Sequence, residues 1–205
     1  LHLSIRRQRQ MCIRDRIQRQ HGKHDRDAGD GADVPGRPDQ AAAFADTPVR
    51  YTHGDVHRLA GGVAAWLAAR GLPAGSRIAI AALNRAEYLI TYFGVMRAGF
   101  VAVPINIKQT QENIDYVIRD AGIALAFVDS ARRAAFEATV PVLDFDDTGP
   151  QGFAAQIVPT AFDTVTPAHD DVAQMLYTSG STGKPKGVPL TLSLIHISEP
   201  TRLRR

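Results

Sequence analysis

From Tyr51 to Tyr177 the chain alternates two kinds of segment, short runs rich in Ile and Val and longer stretches whose apolar residues recur every three or four positions. Such alternation is the pattern of strands wound with helices into a largely parallel sheet. Thr52 is suited to cap a helix carrying Val56, Leu59, Val63, Trp66 and Leu67 and ending at Gly71. The run 77–83 is too short for an ordinary helix and reads as a buried strand. A second helix is predicted over 85–98, stopped by Gly99, with Tyr88, Tyr92, Phe93 and Met96 at core spacing. Residues 100–104 read as a strand closed by Pro104, which cannot donate to a ladder. Thr110 then caps a third helix, with Ile114, Val117 and Ile118, ending at Gly122. A strand over 123–128, a helix near 131–138, a strand over 140–145, an irregular stretch to Asp170 and a strand over 172–177 complete the order. The fold class expected is α/β, a mostly parallel sheet with helices on both faces.

The chain has 205 residues, 44% of them hydrophobic, enough for one domain with a core. Its net charge of +3 does not come from that core. Residues 1–38 hold 9 Lys/Arg against 5 Asp/Glu, residues 192–205 hold 3 against 1, and the middle is acidic with 12 against 15. No basic stripe interleaved with aromatics runs through the middle, which argues against nucleic acid as a partner. No apolar run reaches the roughly 18 residues of a membrane span, so the cytoplasm is the default compartment. Cys12, the single cysteine, can form no internal disulfide and has no cluster around it for a metal.

The ends differ in character. Residues 1–36 lack apolar periodicity, and Met11–Arg16 and Ser193–Arg202 resemble translated sequencing-library adapters. Read one base later, the codons of His21–Asp33 can encode an amphipathic segment that opens with Met, which motivates the hypothesis of a frameshift near Pro35–Arg37. A nucleotide read showing that segment in frame with Arg37 would refute it. The expected organisation is a disordered or artefactual tail over 1–36, a domain over 37–191 and a second such tail over 192–205.

Between Tyr177 and Val188 stands Tyr-Thr-Ser-Gly-Ser-Thr-Gly-Lys-Pro-Lys-Gly-Val. Glycines let backbone N–H groups approach a ligand, hydroxyls donate hydrogen bonds and ammonium groups offset negative charge, so the loop has the parts to hold a polyphosphate. It is not the common P-loop, because Lys184 is followed by Pro185 and not by Ser or Thr. Pro185 also bars a helix from leaving the loop directly, which points to a flexible flap as the gripping element. A bare Ser/Gly linker is the simpler reading of such a string, but a linker gains nothing from a buried strand feeding it or from two lysines leaving it.

This twelve-residue string resembles the signature of the adenylate-forming superfamily, the AMP-dependent acyl-CoA synthetases, adenylation domains and luciferases. Arg50–Ala60, Leu83–Tyr88 and Met96–Asn106 are similar to weaker motifs of the same family in the same order, so the resemblance covers residues 37 to 191. It implies the N-terminal part of the large domain of the acyl-CoA synthetase-like fold, truncated. It also implies a carboxylic acid substrate activated by ATP with Mg2+ to acyl-AMP and pyrophosphate, the acyl group passing to CoA, in the manner of fatty acid metabolism. Thr178, Ser179, Gly180, Ser181, Thr182 and Gly183 would cradle the β- and γ-phosphates, and Lys186 would add positive charge as pyrophosphate develops. Lys184 matches a variable position, and solvated surface is its expected status.

After Val188 the resemblance stops at Thr191, where Leu192 stands in place of the family's His. The acid pocket, the adenine and ribose contacts and the family's catalytic lysine follow that point, so no catalytic residue is expected within the chain. The expectation is that the chain itself is inactive, which measurable ATP–pyrophosphate exchange would overturn, and that an exposed sheet edge makes it aggregate. Two other readings stand beside the CoA ligase: an adenylation domain loading a carrier protein, and a non-catalytic nucleotide-binding or basic interaction module. His53, His57 and His169 are isolated, Asn84 and Asn106 suit turns, and Asp170 and Asp171 read as an exposed pair and not as a magnesium site.

Overall fold

The computed structural model describes residues 41–42, 51–178 and 184–193. The expectations for residues 1–36, with Cys12, and for 194–205 lie outside the described residues. The described elements run β1 (Ala41–Ala42), β2 (Tyr51–Thr52), α1 (His53–Ala68), β3 (Arg77–Ala81), α2 (Ala86–Arg97), β4 (Val101–Pro104) and α3 (Gln111–Ala121). Then follow β5 (Ile123–Val128), α4 (Ser130–Glu137), β6 (Val142–Asp144), α5 (Phe153–Gln156), β7 (Val172–Thr178) and β8 (Lys186–Thr191). β1 and β2 pair antiparallel, and the other six form one sheet in the order β6-β5-β3-β4-β7-β8. Every neighbouring pair in it is parallel except β7–β8.

The alternation of side chains along β3 explains the two layers. Ile78 and Ile80 pack on one face with Val63 and Leu67 of α1 and Ile90 and Phe93 of α2. Ala79 and Ala81 pack on the other with Ile114, Val117 and Ile118 of α3 and Phe136 of α4. Helices thus cover both faces, as the near-continuous apolar character of the strands requires in a parallel sheet. Phe127, fully buried on the α1 side, gathers Trp66, Phe145 and Phe153 with ring centroids 5.6 to 6.3 Å away. Emptying its site by Phe127→Ala would cost about 3–5 kcal/mol. Tyr92, Phe93 and Met96 are buried in this same cluster, and Tyr88 packs against it.

Local chemistry sets the helix ends. Thr52 caps α1 in a reciprocal box, its Oγ1 accepting from the Asp55 N–H at 3.1 Å while Asp55 Oδ2 accepts from the Thr52 N–H at 2.9 Å. Thr110 caps α3, and Gly122 ends it at φ 59°, a left-handed cap that a side chain would strain. β3 stops two residues short of its predicted end because the Leu83 N–H turns away to Asp129 Oδ2 at 2.6 Å and the Leu83 side chain is 63% exposed. The irregular stretch before Asp170 holds one turn of helix, α5, pinned where Trp66 Nε1 donates to Gln156 Oε1 at 3.0 Å.

From Ile157 onward the chain forms a strap across α1 and α2. The Thr160 N–H donates to the Arg58 carbonyl at 3.0 Å, and the Val165 N–H donates to the Arg97 carbonyl at 2.9 Å. Arg97, 5% exposed, donates to the carbonyls of His57 and Phe162 at 2.8 and 2.7 Å and to Thr164 Oγ1 at 3.3 Å. The strap returns the chain to β7, on the far side of β4.

Candidate functional site

β7 runs parallel to β4, so the chain leaves the sheet at the carboxyl end of β7, the end at which open α/β sheets bind their ligands. It returns at once as β8, antiparallel, an element not anticipated from the sequence. The register pairs Tyr177 with Gly187 and Thr178 with Lys186. Seven residues separate Thr178 from Lys186 in the sequence, and the two strands that flank them are paired.

Thr178 and Lys186 are brought together directly as the last registered pair, both exposed. Ser179, Gly180, Ser181, Thr182 and Gly183 lie outside the described residues. Lys184 is exposed as expected, with its Nζ 5.7 Å from the centre of the Tyr116 ring on α3, and Pro185 is buried. The flap expected from the sequence lies within the residues that are not described; the strands that flank it are paired, and Pro185 sits just before β8, where a missing N–H costs no ladder bond.

The stem leans on α3 through residues that were not among the predicted site residues. The Tyr177 hydroxyl donates to Asp120 Oδ2 at 2.6 Å, and the Tyr116 hydroxyl donates to Asp120 Oδ1 at 3.3 Å. Burial first, and then the Asp120 carboxylate, hold the Tyr177 hydroxyl well above its usual range. A Cβ on Gly187 would stand 2.9 Å from Tyr177 Cζ and 3.0 Å from its hydroxyl oxygen, so the ring lies along the bare backbone of Gly187. Tyr177 and Gly187 were legible as parts of the motif; Asp120 gave no signal, because it is 57 residues from Tyr177.

The carboxyl ends of β3, β5 and β6 are closed by a knot of charges around Arg85. Its guanidinium donates to Glu87 at 3.0 Å, Asp129 at 2.8 Å and Asp146 at 2.6 Å, and lies 5.1 Å from the centre of the Phe145 ring. Burial works against its charge, but the hydrogen bonds to Asp146, Asp129 and Glu87 outweigh it and hold the group well above its usual value. These contacts tie three strand ends together through Nε and Nη1 of Arg85.

The other flagged residues keep plain roles. Asn106 Oδ1 accepts from the Lys108 N–H at 2.9 Å and forms a turn, and Asn84 is exposed. Asp171 Oδ2 accepts from the Ala168 N–H at 2.7 Å, while Asp170 pairs with His169 at 3.0 Å on the surface. His57 is exposed on α1, and His53 is partly buried at its first turn. Among the described residues no group of three or more His, Cys, Asp or Glu gathers that could hold a metal, and no helix is long and apolar enough to cross a membrane.

This arrangement, an antiparallel β7–β8 pair at the edge of a doubly covered parallel sheet with a Ser/Thr/Gly/Lys segment between its strands in the sequence, has relatives. The AMP-binding enzyme family matches residues 32–198, most of the chain. The chain belongs to that family, within the adenylate-forming superfamily of ligases. It is similar to the long-chain-fatty-acid–CoA ligase FadD13 of Mycobacterium tuberculosis, 32% identical over 166 residues that cover 77% of this chain and 33% of that one. It is also similar to the nonribosomal peptide synthetase NPS2 of Ceriporiopsis subvermispora, 33% identical over 145 residues, 70% of this chain and 6% of that one. Among solved structures, ATP-bound MatB from Rhodopseudomonas palustris superposes with a TM-score of 0.67 at 31% identity, over 86% of this chain and 34% of that one. The chain thus spans about a third, or much less, of the length of these relatives.

Proposed function

We propose that the hairpin turn of Thr178, Ser179, Gly180, Ser181, Thr182, Gly183 and Lys186 binds the β- and γ-phosphates of ATP, in an AMP-forming ligase that activates a carboxylic acid and passes it to CoA. The observation that carries the reading is the register pair Thr178–Lys186, which sets a hydroxyl-bearing residue and a lysine side by side at the mouth of the turn. Both are exposed, so a polyphosphate can reach them without displacing core. Backbone N–H groups freed by glycine, hydroxyls and one ammonium together suit the triphosphate, whose charge grows on the leaving pyrophosphate as a carboxylate attacks the α-phosphate. Magnesium would arrive on the phosphates of the nucleotide, as it does where few protein carboxylates are at hand.

The similarity to a CoA ligase over a third of its length and to an ATP-bound structure supports this reading. The similarity to NPS2 supports a second one, an adenylation domain whose acceptor is a carrier-bound thiol. The domain carrying the turn is taken as 37–191, and its setting as the cytoplasm.

Calorimetric titration of the chain with Mg-ATP, Mg-tripolyphosphate and AMP tests the assignment. Binding of ATP and tripolyphosphate with AMP much weaker is expected, and Lys186→Gln should weaken both by about tenfold, the loss of one charge-assisted hydrogen bond. Equal affinity for ATP and AMP would show that the turn does not grip the terminal phosphates.

A further inference from the structure

Two residues flanking the turn reach the same patch of one helix. Tyr177, just before it, bonds Asp120; Lys184, near its end, lies over Tyr116. Tyr116 and Asp120 are one helical turn apart on α3, and Tyr116 itself donates to Asp120. β7 pairs with β4 at Ala102 and Gln174, so beyond that point the stem that holds the turn is laddered to β8 alone, and its contact with α3 is what joins it to a neighbouring element.

We propose that Asp120 is a positioning residue for the phosphate-binding turn, acting through Tyr177 to hold the hairpin stem against α3. The proposal rests on the polyphosphate reading of the turn. Gly187 is part of the device: a Cβ there would stand 2.9 Å from Tyr177 Cζ and 3.0 Å from its hydroxyl oxygen, so the end of the ring that reaches Asp120 would have to shift. A turn fixed at its stem has already given up much of the conformational freedom that gripping a phosphate chain costs, so the tether should appear as affinity more than as global stability.

The test uses Tyr177→Phe, Asp120→Ala, Asp120→Asn and Gly187→Ala in the full chain, with three measurements: the dissociation constant for Mg-tripolyphosphate, the unfolding midpoint without ligand, and the rate of tryptic cleavage at the Lys186–Gly187 bond. Lys184 precedes proline and is not a tryptic site, and Gly187→Ala leaves the bond cleavable. Tyr177→Phe and Asp120→Ala should each weaken binding about fivefold, the worth of one ordinary hydrogen bond. Both should speed cleavage at Lys186 and leave the midpoint within about 2 °C of wild type. Asp120→Asn, which keeps an acceptor oxygen, should stay near wild type, and Gly187→Ala should resemble Tyr177→Phe. Wild-type binding and cleavage in both Tyr177→Phe and Asp120→Ala would overturn the positioning role alone. A wild-type chain that does not bind tripolyphosphate would overturn the function of the turn, and this role with it.

Discussion

The backbone of Gly61 runs so close beneath Thr160 that a Cβ on the glycine would overlap the Thr160 carbonyl oxygen. Gly62 stands in the same relation to the carbonyl of Val158, so the glycine pair of α1 is the bed on which the strap lies. In an open helix Gly→Ala stabilises by about 1 kcal/mol. Here the sign should invert: Gly61→Ala is expected to lower stability by about 1–3 kcal/mol, the usual range for overpacking. Urea unfolding reads this directly, and a stabilised variant would show that the strap does not press on α1.

Arg97 is the clasp over that bed. Its three donor groups serve two carbonyls on different elements and one hydroxyl, with burial holding the guanidinium below its usual value. A lysine carries the charge but not the planar fork, so Arg97→Lys should lose about 1.5–3 kcal/mol, comparable to a hydrogen bond to a charged group. The strap should fail first. Native-state proteolysis of this variant should open a cut between 158 and 165 that the wild type resists, and cleavage there at the wild-type rate would contradict the clasp.

Most of what the residues announced locally the structure contains, although α1 ends at Ala68, short of Gly71, and what depends on distant partners was hidden. Thr52, Thr110 and Gly122 mark helix ends by chemistry that acts within four residues, and all three stand where they were expected. β5 spans 123–128 as predicted, because a continuous buried run has no competing reading between its punctuating residues. β8 escaped notice because Gly187 and Pro189 interrupt its alternation, and only pairing with β7 makes it a strand. The motif named the turn, but the contacts of its stem, Tyr177 with Asp120 and Lys184 with Tyr116, join residues that no local pattern relates.

The cap of α1 carries a pH signature. The hydroxyl of Thr52 foremost, then its N–H, and then the Arg58 charge hold the Asp55 carboxyl below the usual range. A carboxyl depressed in the folded state contributes stability that is present above its unfolded value near 4, and that is lost as pH falls through the folded value. Asp55→Asn should therefore be less stable than wild type at pH 7, with the gap closing below about pH 4. Thr52→Ala should cost about 1 kcal/mol at neutral pH. Thermal unfolding at a series of pH values checks both, and a gap that widens in acid would reverse the sign argued here.

The strand that delivers the turn meets the core through a buried polar contact, the Tyr92 hydroxyl donating to Gln174 Oε1. Both residues are less than a tenth exposed, and Gln174 is also the position at which β7 pairs with β4. Tyr92→Phe keeps the ring in the core but takes the donor from a buried amide oxygen, which should cost about 1–3 kcal/mol. If the cost is that of an orphaned acceptor, then removing the acceptor as well should recover much of it, because an apolar pair of similar shape has nothing left to satisfy. The double variant Tyr92→Phe, Gln174→Leu is therefore expected to be more stable in urea than Tyr92→Phe alone. Losses that simply add would mean that the two side chains act independently, and that β7 is held to the core by its apolar neighbours and not by this bond.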